Sequence, residues 1–179
     1  MVTSSVRSSL VLVALISCSL QVLGCDRHAV PPEERRSLTL ISRIPAEDGA
    51  EINPDILDCG VAAELIEELK DEIDQRYNVR RVKHAEPGSG DLLAMQFVRA
   101  ADAGGGMISG PKHLALKGFL YRDGVLIGTF LAQRSGLNGF TMGYYKGTCS
   151  MVEDLAEELA EDIADWLLRP RMNARIGDQ

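Results

Sequence analysis

Aromatic side chains are sparse, at 5% of 179 residues with a single tryptophan, and histidine occurs only three times. His28, His84 and His113 lie far apart and, taken with the cysteines, show no metal-ligand spacing, so no metal site is expected. A Gly-x-Ser-x-Gly elbow is missing, and Ser109, in Ser-Gly-Pro, has no recognisable base and reads as a turn residue. Gly105 to Gly110 has a faint phosphate-loop look, but Pro111 displaces Lys112 from its place and no Ser or Thr follows it. No catalytic residue and no cofactor is therefore assigned, and an enzyme is not expected. Lys and Arg total 19 against 26 Asp and Glu, a net charge of −7, which argues against nucleic acid as a partner. Beyond residue 30, no segment is apolar enough to enter a bilayer.

What is present begins at the N-terminus. Arg7 precedes the apolar run Leu10 to Ile16, which has signal-peptide length and is too short to span a bilayer comfortably. The stretch ends in Val22-Leu23-Gly24-Cys25, which resembles the bacterial lipobox, where lipid is attached to the cysteine thiol. Leu15-Ile16-Ser17-Cys18 fits the same pattern. Cys25 is favoured because Gly24 precedes it and the apolar stretch continues to it, with Cys18 the alternative. Asp26 after Cys25 resembles the enteric signal for inner-membrane retention, whereas Ser19 follows Cys18, so under that rule the two sites imply different membranes. Each buried acyl methylene adds about 0.8 kcal/mol, so two or three chains would anchor the protein firmly. The expected organisation is a signal peptide over 1–24, a flexible tether over 25–36 containing Pro31-Pro32, one periplasmic domain over 37–169 and a loose tail over 170–179. The protein is expected at the periplasmic face of a bacterial membrane, held by lipid.

Within the domain, Leu38 to Ile44 is β-branched and alternates loosely, predicting a strand; a polar loop with Pro45 and Gly49 follows. Asn53-Pro54 predicts a helix start, and Val61, Ala62, Leu65, Ile66, Leu69 and Ile73 form an apolar stripe running to about Gln75, opposite an acidic face. Val79 to Ala85 predicts an edge strand, Pro87 to Gly90 a turn, and Asp91 to Ala100 a third strand. His113 to Tyr121 and Val125 to Arg134, joined by Asp123-Gly124, give the strongest hairpin signal in the chain. A last helix starts at Thr148-Cys149-Ser150, with Ser150 and Glu153 spaced as a capping box. Its stripe is Met151, Val152, Leu155, Leu159, Ile163, Trp166 and Leu167, and Pro170 ends it. The fold class is α+β: a mainly antiparallel sheet of five or six strands with two amphipathic helices on one face.

Cys59 and Cys149 remain in the domain once the export segment is set aside, and an oxidising periplasm favours bonding them over leaving two buried free thiols. Both stand near a helix start in similar surroundings, which suggests two parallel helices side by side. If strands two to five are antiparallel neighbours, the chain after Arg134 is at the wrong end of the sheet for that bond. A sixth strand or extended return over Phe140 to Lys146 is then required.

Lys146-Gly147-Thr148 leads into the last helix, where free N–H groups and the helix dipole could hold an anion; equally, the glycines could serve tight passage of the chain. Arg76, Arg80, Arg81 and Lys83 could meet phosphate or anionic lipid, or pair with the acidic helices.

The runs Gly118 to Gly124, Ile127 to Phe130, Tyr145 to Cys149 and Asp162 to Leu167 resemble a family of uncharacterised proteobacterial lipoproteins, over roughly residues 35 to 168. In layout that family is similar to the lipoproteins that activate penicillin-binding proteins or assemble the curli secretion pore. The resemblance implies a non-enzymatic accessory role exercised on an envelope protein partner. The alternative is a small-ligand or anion binder using the Gly-rich segment before the last helix.

Overall fold

The computed structural model of the protein describes residues 31–102, 111–136 and 147–178. The signal segment, Cys18, Cys25, Lys146 and the return expected over Phe140 to Lys146 lie outside these residues.

The hairpin signal at Asp123-Gly124 is realised directly. Both residues adopt positive φ, 48° and 79°, as a tight two-residue turn requires, and they join β5 (Lys112–Arg122) to β6 (Val125–Gly136). β4 (Asp91–Asp102) pairs antiparallel with β5 along its whole length. These three long strands are the centre of the sheet.

The flanks are parallel. β1 (Arg36–Ile41) and β2 (Ala46–Ile52) lie end to end along β4, both parallel to it, separated by residues 42–45. β3 (Tyr77–Val82) lies parallel outside β1, and β7 (Ala174–Gly177) lies parallel outside β6. Among the described residues the sheet has seven strands and runs β3-β1-β4-β5-β6-β7, with β2 on β4. It is therefore mixed, not mainly antiparallel, and larger than the five or six strands expected. The cause is connection chemistry: strands joined through a helix are delivered to the same end of the sheet and pair in parallel.

Two such crossovers frame the molecule. The first runs through α1 (Pro54–Leu57) and α2 (Val61–Ile73), the second through α3 (Thr148–Leu168). The single helix expected up to Gln75 is thus two. Asn53 caps the first by accepting from the Asp55 N–H, and Gly60, at φ 79°, turns the chain into the second. The capping box of Ser150 and Glu153 is not used, because α3 starts two residues earlier and Gly147 is its cap.

Leu38, Leu40, Leu93, Met95, Leu116 and Phe130 point from alternate positions of the strands into one core, where they meet Leu65, Leu69, Val152, Leu159 and Ile163 of the helices. The two long helices thus cover one face, as the sequence predicts. They run side by side in the same direction. Cys59 and Cys149 are bonded at their starts, and the Tyr77 hydroxyl donates to the Leu167 carbonyl near their ends.

Four further expectations are corrected. The polar loop after Pro45 is strand β2, and two of its acidic side chains are met across the sheet: Glu47 by Lys117 and Glu51 by Arg99. The tail is not loose, since β7 pairs with β6 and Asp178 both donates to the Gln133 carbonyl and accepts from Ser135. The last part of the tether is also pinned, with Asn78 donating to the carbonyls of Pro32 and Arg35. Finally, Pro87 to Gly90, expected as a turn between antiparallel neighbours, does not join neighbouring strands. β3 and β4 run the same way with β1 between them, so residues 83–90 carry the chain back across β1. This shifts the strand parity by one. β6 already delivers the chain to the end where Cys59 waits, and no return strand is needed for the bond.

Candidate functional site

The face of the sheet opposite the helices is the open one among the described residues. Its positions alternate with the core: Ile41 on β1; Leu92, Ala94 and Gln96 on β4; Lys117, Phe119 and Tyr121 on β5; Thr129 and Leu131 on β6. Most are half-buried, so this face is neither a dry core nor a plain charged surface.

A cavity of about 520 Å³ occupies one end of it. Ala94, Gln96, Phe119 and Tyr121 form the floor. The register explains their meeting, because Ala94 pairs with Phe119 and Leu92 with Tyr121, which puts both rings on the same side of neighbouring rungs. Arg43, in the link between β1 and β2, and Lys83 and His84, at the start of the return across β1, form the walls. Ser42 ties the two walls together, its N–H and hydroxyl both donating to the Val82 carbonyl at 2.8 and 3.1 Å.

Arginine, lysine and histidine line this cavity and no carboxylate does, although the whole chain is acidic. All three basic side chains are exposed, so they stay hydrated and free to reorient. A second cavity of about 400 Å³ shares Phe119 and continues over Thr129 and Leu131 toward Arg175, with the paired Glu47 and Lys117 in its lining. Together they make a trough across the sheet, with one aromatic ring at the junction. The first cavity, with basic walls and no lining carboxylate, suits an anionic group lying on apolar and aromatic surface. It carries no paired nucleophile and base, and no chemistry is assigned to it.

Of the residues singled out in the sequence, Gly147 and Thr148 stand at the start of α3. Gly147 is extended, at φ −66° and ψ 162°, and the first turn of the helix holds no acidic residue. Nothing else among the described residues there points to a ligand. The basic group divides: Arg81 pairs with Glu67 of α2 and Arg80 donates to Thr39, whereas Lys83 lines the cavity. His84 and Arg43 were not singled out as a site. Their link to Phe119 and Tyr121 exists only once the parallel register is known, and no local spacing carries it.

No family model and no curated protein matches the sequence. Solved structures to which the chain is similar include a PelC dodecamer from Paraburkholderia phytofirmans, at 13% identity and a TM-score of 0.44, with 71% of this chain and 85% of that one covered. Protein XCC0632 from Xanthomonas campestris, of the DUF330 family, is similar at 13% identity and a TM-score of 0.45 over 76% and 86% of the two chains. A minor lipoprotein from Acinetobacter baumannii is similar at 14% identity and a TM-score of 0.42 over 76% and 96%.

Proposed function

We propose that this protein is a lipid-anchored periplasmic lipoprotein that performs no chemistry of its own. It acts as an accessory that holds a partner protein of the cell envelope on the open face of its sheet. The observation that carries the reading is the first cavity of the trough: a floor of Phe119 and Tyr121 with walls of Arg43, Lys83 and His84 and no lining carboxylate, in a chain of net charge −7. Such a surface favours an extended acidic segment, whose carboxylates meet the basic walls while its apolar side chains lie on the rings.

The test is photo-crosslinking in intact cells from positions 84 and 119, with position 161 on the outer face of α3 as the control. The expected result is one reproducible envelope partner, joined through an acidic stretch, from the first two positions and not the third. Charge reversal by Arg43→Glu with Lys83→Glu should abolish the crosslink. Equal capture from all three positions, or capture untouched by the reversal, overturns the assignment. A small anionic ligand is the second reading, favoured by a cavity volume within the range of small-molecule sites. Under it, crosslinking yields no protein, and the double reversal removes ligand-induced thermal stabilisation. Intact mass of the mature N-terminal peptide decides between Cys25 and Cys18 as the lipidated residue.

A further inference from the structure

The large apolar side chains left exposed among the described residues are Val125, Leu126, Leu168 and Met172, at 64%, 37%, 54% and 49%. They are not scattered. Val125 and Leu126 open β6 just after the hairpin turn, Leu168 closes α3, and Met172 lies in the link from α3 to β7, which is held to β6 where the Thr129 N–H donates to the Arg171 carbonyl. All four gather at one end of the domain. Exposed apolar side chains grouped in this way mark an interaction surface, whereas isolated ones need no explanation.

Charge and chain path indicate what the surface meets. From Trp166 to Gly177 the chain carries Arg169, Arg171 and Arg175, all exposed, and no carboxylate. The nearest acid on the hairpin, Asp123, is turned to the Gly90 N–H at 2.8 Å. The N-terminal chain enters at this same end. Arg36 starts β1 and pairs with Asp91 at the start of β4, and Arg122 at the end of β5, next to the hairpin, pairs with the same carboxylate. Pro31 lies six positions after Cys25, a reach of at most about 20 Å; from Cys18 it is at most about 45 Å. An acylated cysteine on so short a leash holds this end against the bilayer.

We propose that this end of the domain seats on the phospholipid surface that holds the anchor. Val125, Leu126, Leu168 and Met172 enter the boundary between headgroups and acyl chains, and Arg169 and Arg171 meet lipid phosphates. The inference rests on the lipid-anchor reading.

Trp166 is the sole tryptophan, and its indole, like the Pro170 ring, lies against Gly128 beside this end. The full chain, isolated with its lipid and reconstituted in phosphatidylethanolamine and phosphatidylglycerol vesicles brominated in the acyl chains, should show short-range quenching of Trp166. Serine at Val125, Leu126, Leu168 and Met172 should reduce that quenching at least threefold while the acylated protein stays on the vesicles, with near-ultraviolet circular dichroism confirming the fold. Acylated wild type without quenching, or a variant quenched as strongly, overturns the proposal. If intact mass shows no acyl chain, the anchor reading fails by itself. The same unacylated chain mixed with the vesicles then tests this surface independently: quenching upholds it and its absence overturns it.

Discussion

The sulfur of Cys149, in the first turn of α3, is bonded to that of Cys59, two residues before α2, and the Cα atoms are 5.1 Å apart. This bond ties together the N-termini of the two helices that cover the sheet. It also joins the two βαβ crossovers, β1-α2-β3 at one flank and β6-α3-β7 at the other. The sequence separation is 90 residues. In the chain-entropy treatment, closing a loop of that length restricts the unfolded chain by about 4 to 5 kcal/mol. Cys59→Ser with Cys149→Ser is expected to lower the urea midpoint by a corresponding amount without changing the far-ultraviolet spectrum. An equal stability of oxidised and double-serine chains would contradict it.

Gly118 and Phe130 are cross-strand partners on the core face, and the Phe130 ring lies over the glycine. A Cβ at Gly118 would stand 2.1 Å from Cε1 and Cζ of that ring. The ring cannot retreat easily, because it packs edge-on against Trp166 with centroids 4.8 Å apart. Gly118→Ala should therefore cost about 1 to 3 kcal/mol through overpacking and shift Trp166 emission. Denaturant unfolding followed by fluorescence measures both, and an unshifted midpoint would rule out a fixed contact.

These two relationships differ in how far the sequence could reveal them. The hairpin was legible because Asp123-Gly124 encodes its own turn, and α3 because its apolar stripe is long and ends at Pro170. The bond between Cys59 and Cys149 was legible from redox chemistry and the likeness of the two helix starts, although a wrong strand parity demanded a return that the bond does not need. β2 was hidden because Glu47, Asp48 and Glu51 read as a solvated loop, and the partners of Glu47 and Glu51, Lys117 on β5 and Arg99 on β4, are distant in sequence. β7 was hidden for a similar reason: four residues carry no periodicity, and their ladder partners lie in β6. The cavity was least legible, since its walls and floor come from four separate segments brought together by the return of residues 83–90 across β1.

Asp91 is the most buried carboxylate among the described residues, its side chain 3% exposed, and it accepts from Arg122 Nε and Nη2 at 3.0 and 3.1 Å. Arg36 approaches the same group at 3.7 Å. Asp91→Ala leaves Arg122 unpaired at the sheet end and should cost about 2 kcal/mol, below the range for a fully buried pair because Arg122 is one-third exposed. Replacing both, as Asp91→Leu with Arg122→Leu, should recover at least half of the loss. Thermal or denaturant unfolding of the three variants tests it, and a double variant less stable than Asp91→Ala would show that the ion pair itself, not the stranded charge, dominates.

Acid should loosen β7 before it unfolds the core. Asp178 accepts from the Ser135 hydroxyl at 2.9 Å and the Ser135 N–H at 2.8 Å, and these bonds, with Arg134 nearby, hold its carboxyl below the ordinary value. Because the folded value is the lower one, the stabilisation is complete above the unfolded value, about 3.9, and is lost as pH falls through the folded value. Protection of the Ser135 amide, corrected for intrinsic exchange, should thus stay level from pH 7 to 5 and drop below about pH 4. In Asp178→Asn it should be lower throughout and lose that acid step. The amides of β4 and β5, whose ladders do not involve Asp178, should keep their protection over the same range. A Ser135 amide that stays protected at pH 3, or one that opens together with β4, would show that Asp178 does not control the docking of β7.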